Sequence, residues 1–296
     1  MGHNHSHDHS STRNIRFAFF LNLGFTILEI IGGIYTNSIA IVSDAVHDLG
    51  DTLSLGSSWY LQHKSEKKSD QKFSYGYRRL SLLGALINGV VLIIGSAYVI
   101  YEAVKRLRNP EPSDAQGMII FALIGVVVNG YAAYKLTHGR SMNEKVMSWH
   151  MIEDVLGWAA VLIAAIVLYF YENQYIDPVL SLLITAYILF NAFKRLRETV
   201  YLFLQGIPLD VDLEQIKSGL LGLDHVCSLH HTHIWSQDGQ HHVFSTHVIL
   251  ENVETLEQMS GVKKKILDSL DAYDFEHLTI EMEVNQQDCS VRTLEK

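Results

Sequence analysis

Ser43-Asp44-Ala45-Val46-His47-Asp48-Leu49-Gly50-Asp51 stands inside an otherwise apolar stretch, and His150-Met151-Ile152-Glu153-Asp154 opens another. In each, a histidine precedes an aspartate by four residues. On a helix that step is one turn, so the two side chains share a face. A carboxylate at the centre of a bilayer-spanning helix costs ~2.5–3.5 kcal/mol on insertion scales. A chain that keeps two of them, each one turn from a histidine, has a use for them. Two imidazoles and two carboxylates form a complete tetrahedral set for Zn²⁺.

If the two segments pack together, His47, Asp51, His150 and Asp154 converge, and the two carboxylates balance a divalent charge. Asp44, one turn before His47, is placed to hold its ring as an outer partner. Metal binding requires neutral imidazole and ionised carboxylate, so it expels protons. A site open to the cytoplasm would take metal, and one open to an acidic exterior would release it in exchange for protons. The competing reading, polar residues that merely pack helices, suits one buried histidine better than two matched pairs. Asn22, Asn88 and Asn129 read as interhelical hydrogen-bonding residues. Asp48 and Glu153 point away from the four, and Glu29 has no assigned role.

Six apolar segments surround these motifs, at roughly 15–36, 39–62, 79–107, 115–138, 146–171 and 175–200. Each is near the ~20 residues a bilayer needs. The second and fifth are the least apolar, because they carry the acidic and histidine residues. Lys64, Lys67, Lys68, Lys72, Arg78 and Arg79 fall between segments two and three, and Lys135, Arg140 and Lys145 between four and five. With Arg13 and Arg16 before the first segment, and Lys194, Arg195 and Arg197 ending the sixth, this bias places both termini in the cytoplasm. Lys105, Arg106 and Arg108 disagree, with Glu111 and Asp114 near enough to offset them.

The 296 residues divide into a His-rich arm (1–12), a six-helix membrane domain (13–205) and a polar, acidic tail (206–296). The arm's His3, His5, His7 and His9, with Asp8, read as a flexible metal collector or as an irrelevant polar terminus. No cleavable signal peptide is visible. Cys227 and Cys289 do not make a disulfide framework, which suits a reducing compartment. A net charge of −9 argues against a nucleic-acid partner. Past Gly206-Ile207-Pro208 the periodicity predicts helices at 212–221 and 255–271 and strands at 228–236, 241–250 and 275–284. This αββαβ order suggests a small α+β domain with an antiparallel sheet. Eight histidines lie in it: His225, His230, His231, His233, His241, His242, His247 and His277. By strand alternation, His231 and His233 share one face and His230 takes the other.

Taken together, the motif at 43–51, Phe73-Ser74-Tyr75-Gly76-Tyr77-Arg78-Arg79, the motif at 150–154 and His231-Thr232-His233-Ile234-Trp235 resemble the zinc-exporting cation diffusion facilitators over essentially the whole chain. The resemblance implies six transmembrane helices, a ferredoxin-like cytoplasmic tail, a homodimer formed through that tail, and exchange of cytoplasmic Zn²⁺ for protons. In that family a histidine at the first ligand position, here His47, goes with zinc. His231 and His247 match tail positions that bind metal, and Glu281 and Glu283 fall where the last-strand ligands sit. A tail site of His231, His247 and Glu283, with Glu281 in reserve, is the expectation, against a solvated strand face that packs at a dimer contact. Two departures stand out. Residues 72–77 lack the Asp and His of an extra metal site found in some bacterial members, and 136–140 holds a single His where many eukaryotic members are His-rich.

The reading is therefore a secondary transporter of Zn²⁺, with Cd²⁺ or Co²⁺ as further cargo, in a bacterial plasma (inner) membrane. It is not an enzyme and has no organic cofactor; zinc also serves as a regulatory ion. The alternative is a membrane metal sensor, or a metal-binding protein without net transport. A passive channel fits less well, because four strong ligands at one point hold an ion too tightly to conduct it.

Overall fold

The computed structural model describes residues 8–65, 69–137 and 142–284, with side chains from residue 19 onward except 58–59, 61–65, 135–137 and 142–150. His3, His5 and His7 lie outside the described residues, as do the side chains of Asp8, His9 and His150. By contact the chain forms two compact units, residues 1–64 with 83–197, and residues 65–82 with 198–296.

The first unit is built of six long helices: α1 (Asp8–Thr36), α2 (Ile39–Ser65), α3 (Leu80–Arg108), α4 (Ala115–Thr137), α5 (Met142–Tyr171) and α6 (Ile176–Phe203). Helix α1 begins well before residue 15, where the apolar run alone would start it. Among the described residues, α1, α3, α4, α5 and α6 are long and apolar enough to cross a membrane, and α2 is not counted with them. Its aspartates at 44, 48 and 51 lower its hydropathy, as expected. Helix α5 does qualify, over Met151–Tyr171, because its polar end is followed by a long aliphatic run.

Small residues bring the helices close. The Trp158 ring of α5 sits so near Gly125 of α4 that an added Cβ would meet it at 2.1 Å. Gly50 and Gly95 accept Leu92 and Val46 at the α2–α3 contact in the same way, each at 2.5 Å from an added Cβ. Phe25, Ile41, Met118, Trp158 and Val161 form the main apolar core of this unit.

Helix α2 is held by polar groups of α6. The fully buried Asp177 accepts hydrogen bonds from the Ile39 and Ala40 backbone N–H groups, at 2.8 and 3.2 Å, and from the Ser38 hydroxyl. Asp177 thus supplies, from another helix, the carboxylate that an α2 N-cap would offer. One turn-pair further, the Ser43 and Thr185 hydroxyls are 2.7 Å apart.

Two of the three cations that disagreed with the charge bias, Lys105 and Arg106, have structural work. Arg106 is buried and donates to the carbonyl and side-chain oxygen of Asn37, in the α1–α2 turn, where Asn37 is left-handed (φ 53). Lys105 pairs with Glu102 at 3.0 Å. Glu111 lies 3.9 Å from Arg106, whereas Asp114 accepts from the Gln116 N–H at the start of α4.

In the second unit, α7 (Leu213–Leu221), β1 (Val226–Ser236), β2 (His242–Leu250), α8 (Leu256–Leu270) and β3 (His277–Glu283) follow the expected αββαβ order. Ile216 and Leu220 of α7 and Val262, Ile266 and Leu270 of α8 pack on Phe244, Val248 and Leu250. Asp212 caps α7, and a reciprocal Thr255/Gln258 box caps α8. The sheet is mixed rather than antiparallel: β1 pairs antiparallel with β2, and β2 pairs parallel with β3. The helix α8 is the reason, since a helical crossover returns the chain to the end of the sheet from which β2 started.

Candidate functional site

The polar residues of α2 and α5 meet at His47. Its Nε2 lies 3.5 Å from the Asp51 carboxylate, one turn on, and 3.9 Å from that of Asp154 on α5. Neighbouring donors of a tetrahedral zinc site stand about 3.3 Å apart, given metal–ligand bonds of ~2.0–2.1 Å. The observed separations are near that edge length. His150 lies on α5 one turn before Asp154, which helical spacing puts on the same face. Asp154 is buried, and Asp51 and His47 are partly so. Asp44 is also buried, but it faces α5, where Gly157 leaves room for it (3.7 Å from an added Cβ), and the structure shows no Asp44–His47 hydrogen bond.

Two further carboxyls are enclosed nearby. Glu29 of α1 is 1% exposed and faces Asp48. The Asn22 amide donates to the Asp48 backbone carbonyl at 3.1 Å and to the Thr52 hydroxyl at 3.0 Å, so it works between α1 and α2 as expected. Asn129 instead donates within its own helix, to the Gly125 carbonyl. Asp177 was missed by sequence reasoning, although an acid two residues into a span is a visible signal; its partners, 138 positions away, are not.

In the tail, the three donors that come within 4.8 Å of one another among the described residues are His230, His247 and Glu283. His247 Nδ1 is 2.7 Å from one Glu283 oxygen, and His230 Nε2 is 3.2 Å from the other. Glu281 lies 3.4 Å from His247 Nε2. The expected His247 and Glu283 are therefore here, with Glu281 in reach, but His230 takes the place given to His231. The cause is register: His230 sits directly across from His247, which sits across from Glu281, so the three form a row. A bulge follows between His230 and His233, where His231 is left-handed (φ 48), and alternation breaks down. The His231 ring still packs 5.2 Å from that of His247, while His233 is exposed. Glu283 is 1% exposed, and the partners facing it are imidazoles. A buried carboxylate needs a compensating cation, and this donor set suits Zn²⁺.

A profile of the cation efflux transmembrane domain matches residues 15–204, and one of the cation efflux protein cytoplasmic domain matches 208–285. The chain belongs to the cation efflux family, the cation diffusion facilitators. Its zinc-exporting members are the relatives it matches over almost its full length. It is 31% identical over 287 residues to a cadmium, cobalt and zinc/H(+)-K(+) antiporter of Bacillus subtilis, covering 96% of this chain and 92% of the relative. It is 30% identical over 290 residues to the metal cation efflux system protein CzcD of Cupriavidus metallidurans (96% and 91%). It is 29% identical over 293 residues to the zinc transporter ZitB of Escherichia coli (96% and 93%). This cation efflux protein is thus a multi-pass membrane transporter for metal cations, with zinc as a transported ion.

Proposed function

We propose that this cation efflux protein exports Zn²⁺, with Cd²⁺ and Co²⁺ as further cargo, from the cytoplasm in exchange for protons. His47, Asp51, His150 and Asp154 hold the ion. The observation that carries the reading is the meeting of His47 with a carboxylate of its own helix at 3.5 Å and one of α5 at 3.9 Å. Such a site needs both helices, so a shift of α2 against α5 opens and closes it. With the site facing the cytoplasm, neutral imidazoles and ionised carboxylates take the metal. Facing a more acidic side, the same groups take protons, and the ion leaves. Relatives named as zinc/H(+)-K(+) antiporters support proton counter-flow.

The remaining assignments follow from this reading. All six long helices span the bilayer, α2 included, because its acids face the bundle interior rather than lipid. Both termini are cytoplasmic and the membrane is a bacterial inner membrane. The tail, with a ferredoxin-like fold, forms a homodimer, and zinc at His230, His247 and Glu283, with His231 and Glu281 beside them, regulates transport. The test is zinc flux in proteoliposomes under an imposed pH gradient. Zinc movement and opposite proton movement are expected, both lost when His47→Ala and Asp154→Ala are combined. Unchanged flux in that variant would remove the four-residue site; zinc binding without flux in the unmutated chain would leave a metal sensor.

A further inference from the structure

Thr36-Asn37-Ser38, the turn between α1 and α2, is gripped from two sides. On one side stands the start of α6. The fully buried Asp177 carboxylate takes the Ser38 hydroxyl and the first two N–H groups of α2. On the other side stand the end of α3 and the α3–α4 connection. Arg106 donates through both Nη atoms to the carbonyl and the side-chain oxygen of Asn37. Ser113 donates to the same carbonyl at 3.1 Å, and the Asn37 amide donates to the Pro112 carbonyl at 3.1 Å. The Asp114 N–H donates to the Thr36 carbonyl at 2.8 Å. The left-handed backbone of Asn37 (φ 53) aims its carbonyl and its side chain at α3 together, a conformation that asparagine tolerates.

The two grips differ in kind. Asp177 is out of reach of water, so its bonds have no replacement when they part. Asn37 and Ser113 are part-buried and Pro112 is exposed, so water takes over these partners as they separate. A cavity of about 200 Å³ lies on the same side, lined by residues of α1, α2 and α3 that include Asn37, Val42, Tyr98 and Arg106. It is large enough for several waters. It also gives the Arg106 side chain room to leave the turn without repacking a close-packed core.

Burial along α2 follows the same direction. From Ser38 to Ala45 every residue is buried except the part-buried Val42. The side chains of His47 and Asp51 keep 28% and 14% exposure, and Ser54 is exposed. The proposed ligands are thus covered on the side of the turn, which lies roughly 14 Å along the helix from His47 at helical rise.

We propose that Arg106 and Asn37 form an outer latch: paired, they close the end of the bundle opposite the termini, and metal held at His47 leaves on that side only when they part, the turn pivoting on Asp177. The direction of release rests on the export reading above; the latch itself is a property of the turn. Both are positioning residues, too far from His47 to touch the ion. A latch that exists only in the closed state biases the equilibrium by its own strength. Weakening it raises the population open to the exterior and lowers the fraction able to load metal from the cytoplasm. The apparent KM for cytoplasmic zinc then rises by the inverse of that fraction.

The experiment uses the full chain in membrane vesicles of known orientation, with Cys227→Ser, Cys289→Ser and one new cysteine. A membrane-impermeant maleimide is added from the side opposite the termini. Val42→Cys reports from the cavity; Ser181→Cys reports from α6, one turn past Asp177, where Ser181 is fully buried. Arg106→Gln should speed labelling at Val42→Cys fivefold or more, leave Ser181→Cys within twofold, and raise the KM for cytoplasmic zinc threefold or more. Arg106→Lys, which keeps the charge and one donor group, should fall between. Asn37→Gly keeps the left-handed turn and its carbonyl but loses the side-chain bonds, and should give a smaller rise, which keeps the test open if Arg106→Gln folds poorly. Labelling at Val42→Cys within twofold of the unmutated latch in both Arg106→Gln and Asn37→Gly would overturn the proposal. So would an equal rise at Ser181→Cys, the mark of general loosening, or labelling only from the side of the termini. If the unmutated chain moves no zinc, the export reading falls, and the latch is decided by labelling alone.

Discussion

The proposed membrane quartet and the tail cluster are made from the same donors, histidine and carboxylate, but on different scaffolds. In the proposed transport site α2 and α5 would each contribute a His and an Asp one turn apart, and helical spacing alone puts each pair on one face. In the tail, three strands contribute His230, His247, Glu281 and Glu283, and which residues meet is decided by pairing register and a bulge. The strand site has donors to spare, since His231 packs beside the three that meet. On the proposed reading, one suits a carrier that must bind and release, the other an ion that stays and reports.

That contrast is best broken by removing single ligands. Asp51→Ala or Asp154→Ala should reduce zinc flux in proteoliposomes to background with the fold intact; a variant retaining half the flux would make the two sites alike. Next in size is the support of α2. Asp177→Ala leaves two N–H groups and a hydroxyl without their acceptor and should cost on the order of 3 kcal/mol of stability, seen as a lower melting temperature in detergent. Asp177→Asn should cost less.

In the tail, His247→Ala should abolish zinc binding at the cluster while leaving flux through the membrane site measurable. His230→Ala should weaken zinc binding in titration calorimetry by roughly tenfold or more, and His231→Ala by less. The reverse order would restore the alternating strand and remove the bulge from the argument. Smallest is deletion of residues 2–9, the collecting arm: apparent zinc affinity should shift modestly with the maximal rate preserved, and complete loss of transport would contradict that role.

Much of the architecture was legible because its signals are local. The six long helices and the αββαβ order come from period and punctuation in the chain. Of the cations that disagree with the charge bias, Arg106 is buried against the Asn37 carbonyl, which sequence cannot tell from a solvated cation. The orientation of β3 and the choice of His230 over His231 depend on how α8 returns the chain and on one bulge, neither of which leaves a mark in residue spacing.

What the sequence determined by itself is the pair of His-to-Asp steps and the helices that carry them, because a 3.6-residue period turns a four-residue gap into adjacency without any help from the rest of the molecule. What only the tertiary structure decided is which distant groups meet: Asp177 at the start of α2, and the row His230–His247–Glu281. Those contacts span tens to hundreds of positions, and packing rather than periodicity selects them.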